Sequence, residues 1–156
     1  MSLQDRPVIV GGGLAGLLTA LHLAPTPSLV VTPGPLGADT SSGLAQGGIA
    51  AALHPADSPT AHALDTVKAG AGLSEPGIVA AITDAAPHAI AHLEDLGARF
   101  DRDASGALAL ALEGAHRRPR VAHAGGDATG AELLRAAVAA VQRTRAVTVL
   151  THSRVI

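Results

Sequence analysis

The sequence contains no cysteine, tryptophan or tyrosine, and a single phenylalanine, Phe100. Without thiols there is no disulfide framework, no thiolate metal site and no cysteine nucleophile. Without large rings the interior must be built from Leu, Val, Ile and Ala, which together make most of the 47% hydrophobic content. Such a core depends on close backbone packing or on a bound ligand for the contact area that aromatics usually supply. An excess of charge is missing too. The formal net charge is -2 and the eight His are scattered, so nothing marks the chain as a nucleic-acid binder. Formal charge is absent altogether from Pro7 to Ala38, which raises the question of a membrane span or a secretion signal. Gly11, Gly12, Gly13, Gly16, Pro25 and Pro27 interrupt that stretch, and Asp5 and Arg6 precede it rather than a basic segment. Both readings fail. The expectation is a buried strand, turn and helix, no membrane partner and a cytoplasmic location.

What is present reads as one α/β domain, for which 156 residues suffice. Pro7-Val8-Ile9-Val10 predicts a strand, and the glycines after it open a helix from about Leu14 to Leu23 that stops before Pro25. Ser28 to Thr32 predicts a second, parallel strand. The stretch from Pro33 to Gly48, rich in Gly, Pro, Ser and Thr, reads as a functional loop. Ser58-Pro59 has the pattern of a helix cap followed by proline at the first helical position, which predicts a helix to about Ala69 closed by Gly70 and Gly72. A helix from Pro76 to about Ala85 is expected to be interrupted by Pro87, with another running to Leu96. Ala98-Arg99-Phe100 and Ala107 to Leu112 flank a polar stretch ending in Gly106, which predicts a β-hairpin. Thr129-Gly130-Ala131-Glu132 matches a capping box that opens a helix to about Arg143, and Val147 to Leu150 predicts a late strand.

Gly11-Gly12-Gly13-Leu14-Ala15-Gly16, between the first strand and the first helix, has the Gly-x-Gly-x-x-Gly spacing. It permits a tight turn, close approach of a pyrophosphate to the backbone and close packing of helix on strand, with the helix N-terminus facing the negative charge. The acidic residue that usually ends the second strand of an NAD site is replaced by Thr32-Pro33, and no carboxylate occurs between Asp5 and Asp39. That argues against an ordinary NAD site. The absence of Gly-Lys-Ser/Thr excludes a P-loop. A second glycine cluster, Ser41-Ser42-Gly43-Leu44-Ala45-Gln46-Gly47-Gly48, offers successive backbone N–H groups unobstructed by side chains, a surface suited to a flavin edge or its phosphates.

This loop and its spacing from Gly11 resemble the L-aspartate oxidase family, within the fumarate reductase and succinate dehydrogenase flavoprotein superfamily. The resemblance continues through Asp65 to Leu73, Leu96 to Asp101 and Glu113-Gly114-Ala115-His116-Arg117-Arg118-Pro119-Arg120-Val121-Ala122-His123-Ala124-Gly125-Gly126-Asp127-Ala128-Thr129-Gly130. It implies a Rossmann-like FAD-binding fold with a parallel sheet and an inserted β-hairpin, incomplete here. Residues 1–156 would form the N-terminal part of an FAD-binding domain, with capping and C-terminal helical domains lying outside the chain. The pyrophosphate of FAD would lie around Gly11, Gly12, Gly13, Leu14, Ala15 and Gly16, and the isoalloxazine and ribityl region along Ser41, Ser42, Gly43, Leu44, Ala45, Gln46, Gly47 and Gly48. The backbone near Arg154 and Val155 would approach the adenine. Where dehydrogenase relatives carry a His bonded covalently to flavin, Ser41 stands here, which implies noncovalent FAD.

The same resemblance implies oxidation of L-aspartate to iminoaspartate, the first step of quinolinate and NAD formation, with oxygen or fumarate as electron acceptor and a hand-off to quinolinate synthase. Glu113 is then the catalytic-site residue, placed near the substrate amino group, since a carboxylate pairs with an ammonium and repels a wrongly placed carboxylate. Without the surrounding motif it reads equally as an exposed glutamate at a hairpin end. His116, Arg117, Arg118, Arg120 and His123 read as a basic patch, a solvated turn or part of a dicarboxylate site, with structural roles favoured because three Arg exceed what one small substrate needs. A metal site at His116 and His123 is not expected, for want of further ligands. The base and the substrate-gripping Arg and His residues would lie outside this chain, which alone is expected to be inactive. The alternatives are a fumarate reductase or succinate dehydrogenase flavoprotein, disfavoured by Ser41 and the Glu113 motif, and a noncatalytic nucleotide-binding module.

Overall fold

The computed structural model describes residues 5–156, which fall into two units. The first comprises the chain up to Gln46, Leu96–Ala98 and Gly130–Ile156, and the second comprises Gly47–Asp95 and Arg99–Thr129.

In the first unit, β1 (Val8–Val10), β2 (Ser28–Val31) and β6 (Val147–Leu150) form a parallel sheet in the order β1-β2-β6. The register sets Ile9 against Val30 and Val30 against Val149. Consecutive parallel strands require a helical crossover, and α1 (Leu14–Leu23) supplies it between β1 and β2. The core gathers Leu17 and Ala20 of α1, Val30 of β2, and Leu134, Ala137 and Val141 of α4 (Thr129–Arg143). Alanines at helix-contact positions let these elements approach closely, which meets the lack of aromatics by backbone proximity. Gly16 shows the same economy: a Cβ there would collide with the Gly11 carbonyl oxygen and lie 3.3 Å from Ile9 Cγ2.

The second unit contains α2 (Pro59–Ala69), α3 (Pro76–Asp95) and a small antiparallel sheet of β3 (Ile49–Ala50), β5 (Val121–Ala122) and β4 (Leu110–Ala111), in the order β3-β5-β4. The cap of α2 is as the sequence predicts: Ser58 Oγ accepts the Ala61 N–H at 3.1 Å and Pro59 takes the first helical position.

Two expectations need correction. First, Pro87 does not interrupt a helix, because α3 runs through it. Val79, Thr83, Ala86, Ile90 and Leu93 form one buried stripe, and that continuous burial outweighs the single backbone hydrogen bond a proline removes. Second, the hairpin forms only at its tip. Arg102 bridges Leu108 and Asp103 Oδ1 accepts from the Ser105 and Ala107 amides, but β4 beyond it pairs with β5 rather than with the segment at Phe100. The partner strands β3 and β5, two residues each, are too short to leave a periodic signal. At the start of α4 the Thr129 hydroxyl accepts the Ala124 N–H at 3.1 Å, and both carboxylate oxygens of Glu132 accept from Arg135. The remaining helices and strands fall within a residue of their predicted positions.

Candidate cofactor and substrate site

A cavity of about 630 Å³ in the first unit is lined by Gly11, Gly12 and Gly13, by Thr32 to Gly34, by Ala38 to Ser42 and by Arg154. Its size is that of a cofactor site. Gly11 donates its N–H to Val31 O at 2.9 Å and turns the chain with φ +113°, a conformation reserved for glycine. A Cβ on Gly12 would lie 3.2 Å from Thr32 Oγ1. The chain then enters α1 with Gly13 in extended conformation as its cap, and a glycine brings no side chain to satisfy the first N–H groups. The first turn also holds no carboxylate. One of those amides is satisfied from a distance, since Leu14 N–H donates to Ser42 Oγ at 3.1 Å. The rest of the positive helix end, the bare glycine backbone and Arg154 line the same hollow, the chemistry that a pyrophosphate requires.

Thr32 serves the cavity through its backbone. Its N–H donates to Leu150 O at 2.9 Å and its carbonyl accepts from Ser153 N–H at 3.1 Å, which ties the chain after β6 to the cavity rim and delivers Arg154. Val155, by contrast, is exposed and does not line the cavity. A further residue went unnoticed as a site residue in the sequence. Gly130 donates its N–H to Ala45 O at 2.9 Å, and a Cβ there would strike Ser42 O and come within 2.7 Å of the Ala45 carbonyl oxygen. It seats the 3₁₀ turn Ser41–Leu44, whose Thr40 cap accepts the Gly43 N–H at 3.4 Å. Of the remaining loop residues, Leu44, Ala45, Gln46 and Gly47 are exposed.

In the second unit Gly48 lies against β5: a Cβ would fall 2.5 Å from both Ala122 O and Val121 Cγ1, and 3.0 Å from His123 Cε1. Glu113 is about half exposed, and its Oε1 accepts from His123 Nε2 at 2.8 Å. The motif's arginines part company here. Arg120 is wholly buried and donates from Nε and Nη2 to the two oxygens of Asp57 at 2.6 and 2.8 Å, and from Nη1 to Asp65 at 2.6 Å. Asp65 also accepts from the backbone and side chain of Arg117. The hydrogen bonds from Arg120 hold the carboxyls of Asp57 and Asp65 below the usual carboxylate range, against burial. Burial, aided by the Arg120 charge, lowers His62, whose ring centroid lies 5.4 Å from that of His116. Asp101 is lowered by the Gly126 and Gly125 amides that it accepts at 3.1 and 2.9 Å. Among the described residues, no group of three or more His, Asp or Glu is placed to hold a metal ion, and no helix is long and apolar enough to cross a membrane.

The model of the FAD binding domain matches residues 6–156. The chain belongs to this family. As an FAD binding domain it has FAD as its cofactor, and the glycine-lined cavity with its cationic rim fits that group. The chain is 51% identical over 152 residues to the L-aspartate oxidase of Agrobacterium fabrum, covering 97% of this chain and 29% of the relative. It is 50% identical over 144 residues to that of Mesorhizobium japonicum, covering 92% and 28%. This FAD binding domain thus spans less than a third of the length of those curated relatives. Among solved structures, the Mycobacterium smegmatis Sdh1 complex in the apo form matches with a TM-score of 0.84 at 28% identity, over 94% of this chain and 27% of that one. Escherichia coli quinol fumarate reductase matches with a TM-score of 0.86 at 24% identity, over 94% and 26%, and shares the fold.

Proposed function

We propose that this chain is the FAD-holding part of an enzyme that oxidises L-aspartate to iminoaspartate. The observation that carries the reading is identity near 50% to L-aspartate oxidases across almost the whole chain, against 28% and less for the Sdh1 and fumarate reductase structures. The Gly11 to Gly16 turn and the N-terminus of α1 hold the pyrophosphate, with Arg154 adding a cation, and Ser41 to Gly48 run along the ribityl chain and flavin. The backbone near Arg154 and Val155 approaches the adenine. Ser41 offers no imidazole for a covalent bond, so FAD is held noncovalently.

FAD, when bound, accepts a hydride from the substrate and passes electrons on to oxygen or fumarate. The chain's own contribution is to bind and to discriminate: Glu113 receives the substrate ammonium and disfavours a dicarboxylate that lacks one. Residues 1–156 are the N-terminal part of the FAD-binding domain. The whole protein works in the cytoplasm, at the step whose product quinolinate synthase consumes.

The test has two parts. The purified chain, mixed with FAD and freed of unbound ligand, should keep a flavin absorbance band. In the whole protein that carries this chain, L-aspartate added without oxygen should bleach the band and succinate should not. Bleaching by succinate would instead support the dehydrogenase reading, and retained flavin that neither compound bleaches would support a noncatalytic binding module.

A further inference from the structure

We infer that His123 is a positioning residue that holds the Glu113 carboxylate in place relative to Gly48. The inference rests on the proposed role of Glu113 toward the substrate ammonium and adds a second residue to that site.

The argument starts from what Glu113 lacks. It follows β4 by two residues, is about half exposed, and has a flexible side chain whose freedom must be lost before it can select a substrate. A contact to substrate that depends on an unrestrained glutamate is weak, because ordering it consumes part of the binding energy. Here the ordering is done beforehand. His123 follows β5 directly, and its Nε2 lies 2.8 Å from Glu113 Oε1. A carboxylate can only accept, so Nε2 carries the proton. One oxygen of Glu113 is thereby engaged.

His123 is itself fixed. Its ring is three-quarters buried, and the space beside it exists because residue 48 has no side chain: a Cβ on Gly48 would sit 3.0 Å from His123 Cε1. The backbone at His123 is held as well, since its carbonyl accepts the Asp101 N–H at 2.8 Å, while the Asp101 carboxylate accepts the Gly125 and Gly126 amides. On the other flank, Asp65 grips Arg117 and Arg120, closing the turn between Glu113 and β5. A ring packed on Gly48 and bonded to Glu113 therefore makes a rigid spacer between that glycine and the carboxylate assigned to the substrate. The glycine at 48 is explained by this contact and by β5, and not by cofactor approach alone.

The experiment uses the whole FAD-loaded protein that carries this chain, with His123→Leu, His123→Gln and Glu113→Gln, singly and combined. L-Aspartate KM and kcat are measured beside the inhibition constant of succinate, which lacks the ammonium. His123→Leu should raise the aspartate KM about tenfold with kcat changed less than about twofold. Succinate inhibition should stay within about twofold, His123→Gln, which keeps an N–H donor, should restore much of the loss, and His123→Leu should add nothing in the Glu113→Gln background. Equal losses for aspartate and succinate, or an undiminished His123→Leu effect in that background, would overturn the inference. Should His123→Leu shed flavin, His123→Asn, too short to reach Glu113, is measured in its place against the same outcomes. The two readings separate cleanly. An unchanged aspartate KM in Glu113→Gln overturns the role of Glu113 and the present inference with it, whereas a raised KM there with silent His123 variants overturns only the role of His123.

Discussion

Arg120 is the residue at which the sequence's ambiguity is resolved most sharply. A guanidinium in a motif that reads as part of a dicarboxylate site invites a substrate-binding role, yet this one is fully buried and engaged by Asp57, Asp65 and His116 Nδ1. Removing it would leave Asp57 buried without its charge partner and Asp65 with Arg117 alone, so Arg120→Ala should destabilise the protein by about 3–5 kcal/mol, measured by denaturant unfolding. The pH response follows with its sign. Asp57 and Asp65 have folded-state pKa values below their unfolded ones, so their contribution is complete above pH ~4 and is lost as pH falls below it. His62 is lowered as well, so the unfolded chain takes up its proton first, and stability should already decline below pH ~6.5. Thermal melts from pH 8 to pH 2 should show both declines, with the upper one missing in His62→Leu and the lower one reduced in Asp65→Asn. Gly48 is as constrained in space as Arg120 is in charge. A methyl group there meets β5 backbone at 2.5 Å, and Gly48→Ala should cost about 1–3 kcal/mol through the forced shift.

Among the elements, α3 shows a local rule losing to packing. Pro87 removes one backbone hydrogen bond and crowds the preceding turn, but the helix is held by its buried stripe on both sides of the proline. The local penalty persists inside the helix, so Pro87→Ala should stabilise the protein by about 1–3 kcal/mol, seen as a higher denaturant midpoint with an unchanged slope. The start of α1 is the opposite case, a helix end left bare locally and completed by a loop distant in sequence. Ser42→Ala removes the acceptor of the Leu14 N–H and should cost about 1 kcal/mol, as the loss of a cap does. Thermal unfolding of the FAD-free chain is the measurement that isolates it.

At the scale of the whole molecule, the consequence of a core with a single phenylalanine, Phe100, is that stability depends on close contacts and on the cofactor. FAD that binds only the folded chain should add about 2.7 kcal/mol at a hundred times its dissociation constant, raising the melting temperature in step with FAD concentration. Arg154→Glu places a like charge against a pyrophosphate at the cavity rim and should weaken FAD binding by at least about tenfold, read by flavin fluorescence quenching. An unchanged affinity would remove Arg154 from the cofactor site.

The sequence by itself determined the elements and the glycine turn after β1. Strand, glycine turn and helix at residues 8–23, the cap at Ser58 and the helix at 129–143 are local matters, set by hydrophobic period, glycine placement and capping chemistry within a few residues. Only the tertiary structure decided that α3 is continuous, that β3 and β5 exist, and that β4 leaves its hairpin for β5, since two-residue strands are stabilised by partners far along the chain rather than by their own pattern. It likewise decided which charges matter. Arg117 and Arg120 sit three residues apart in one motif, and their separation into an exposed and a buried partner of Asp65 depends on α2, 52 and 55 residues away. Side-chain pairing across such distances carries no trace in local sequence, which is why Ser42, Gly130 and His123 acquired their roles only once the chain was folded.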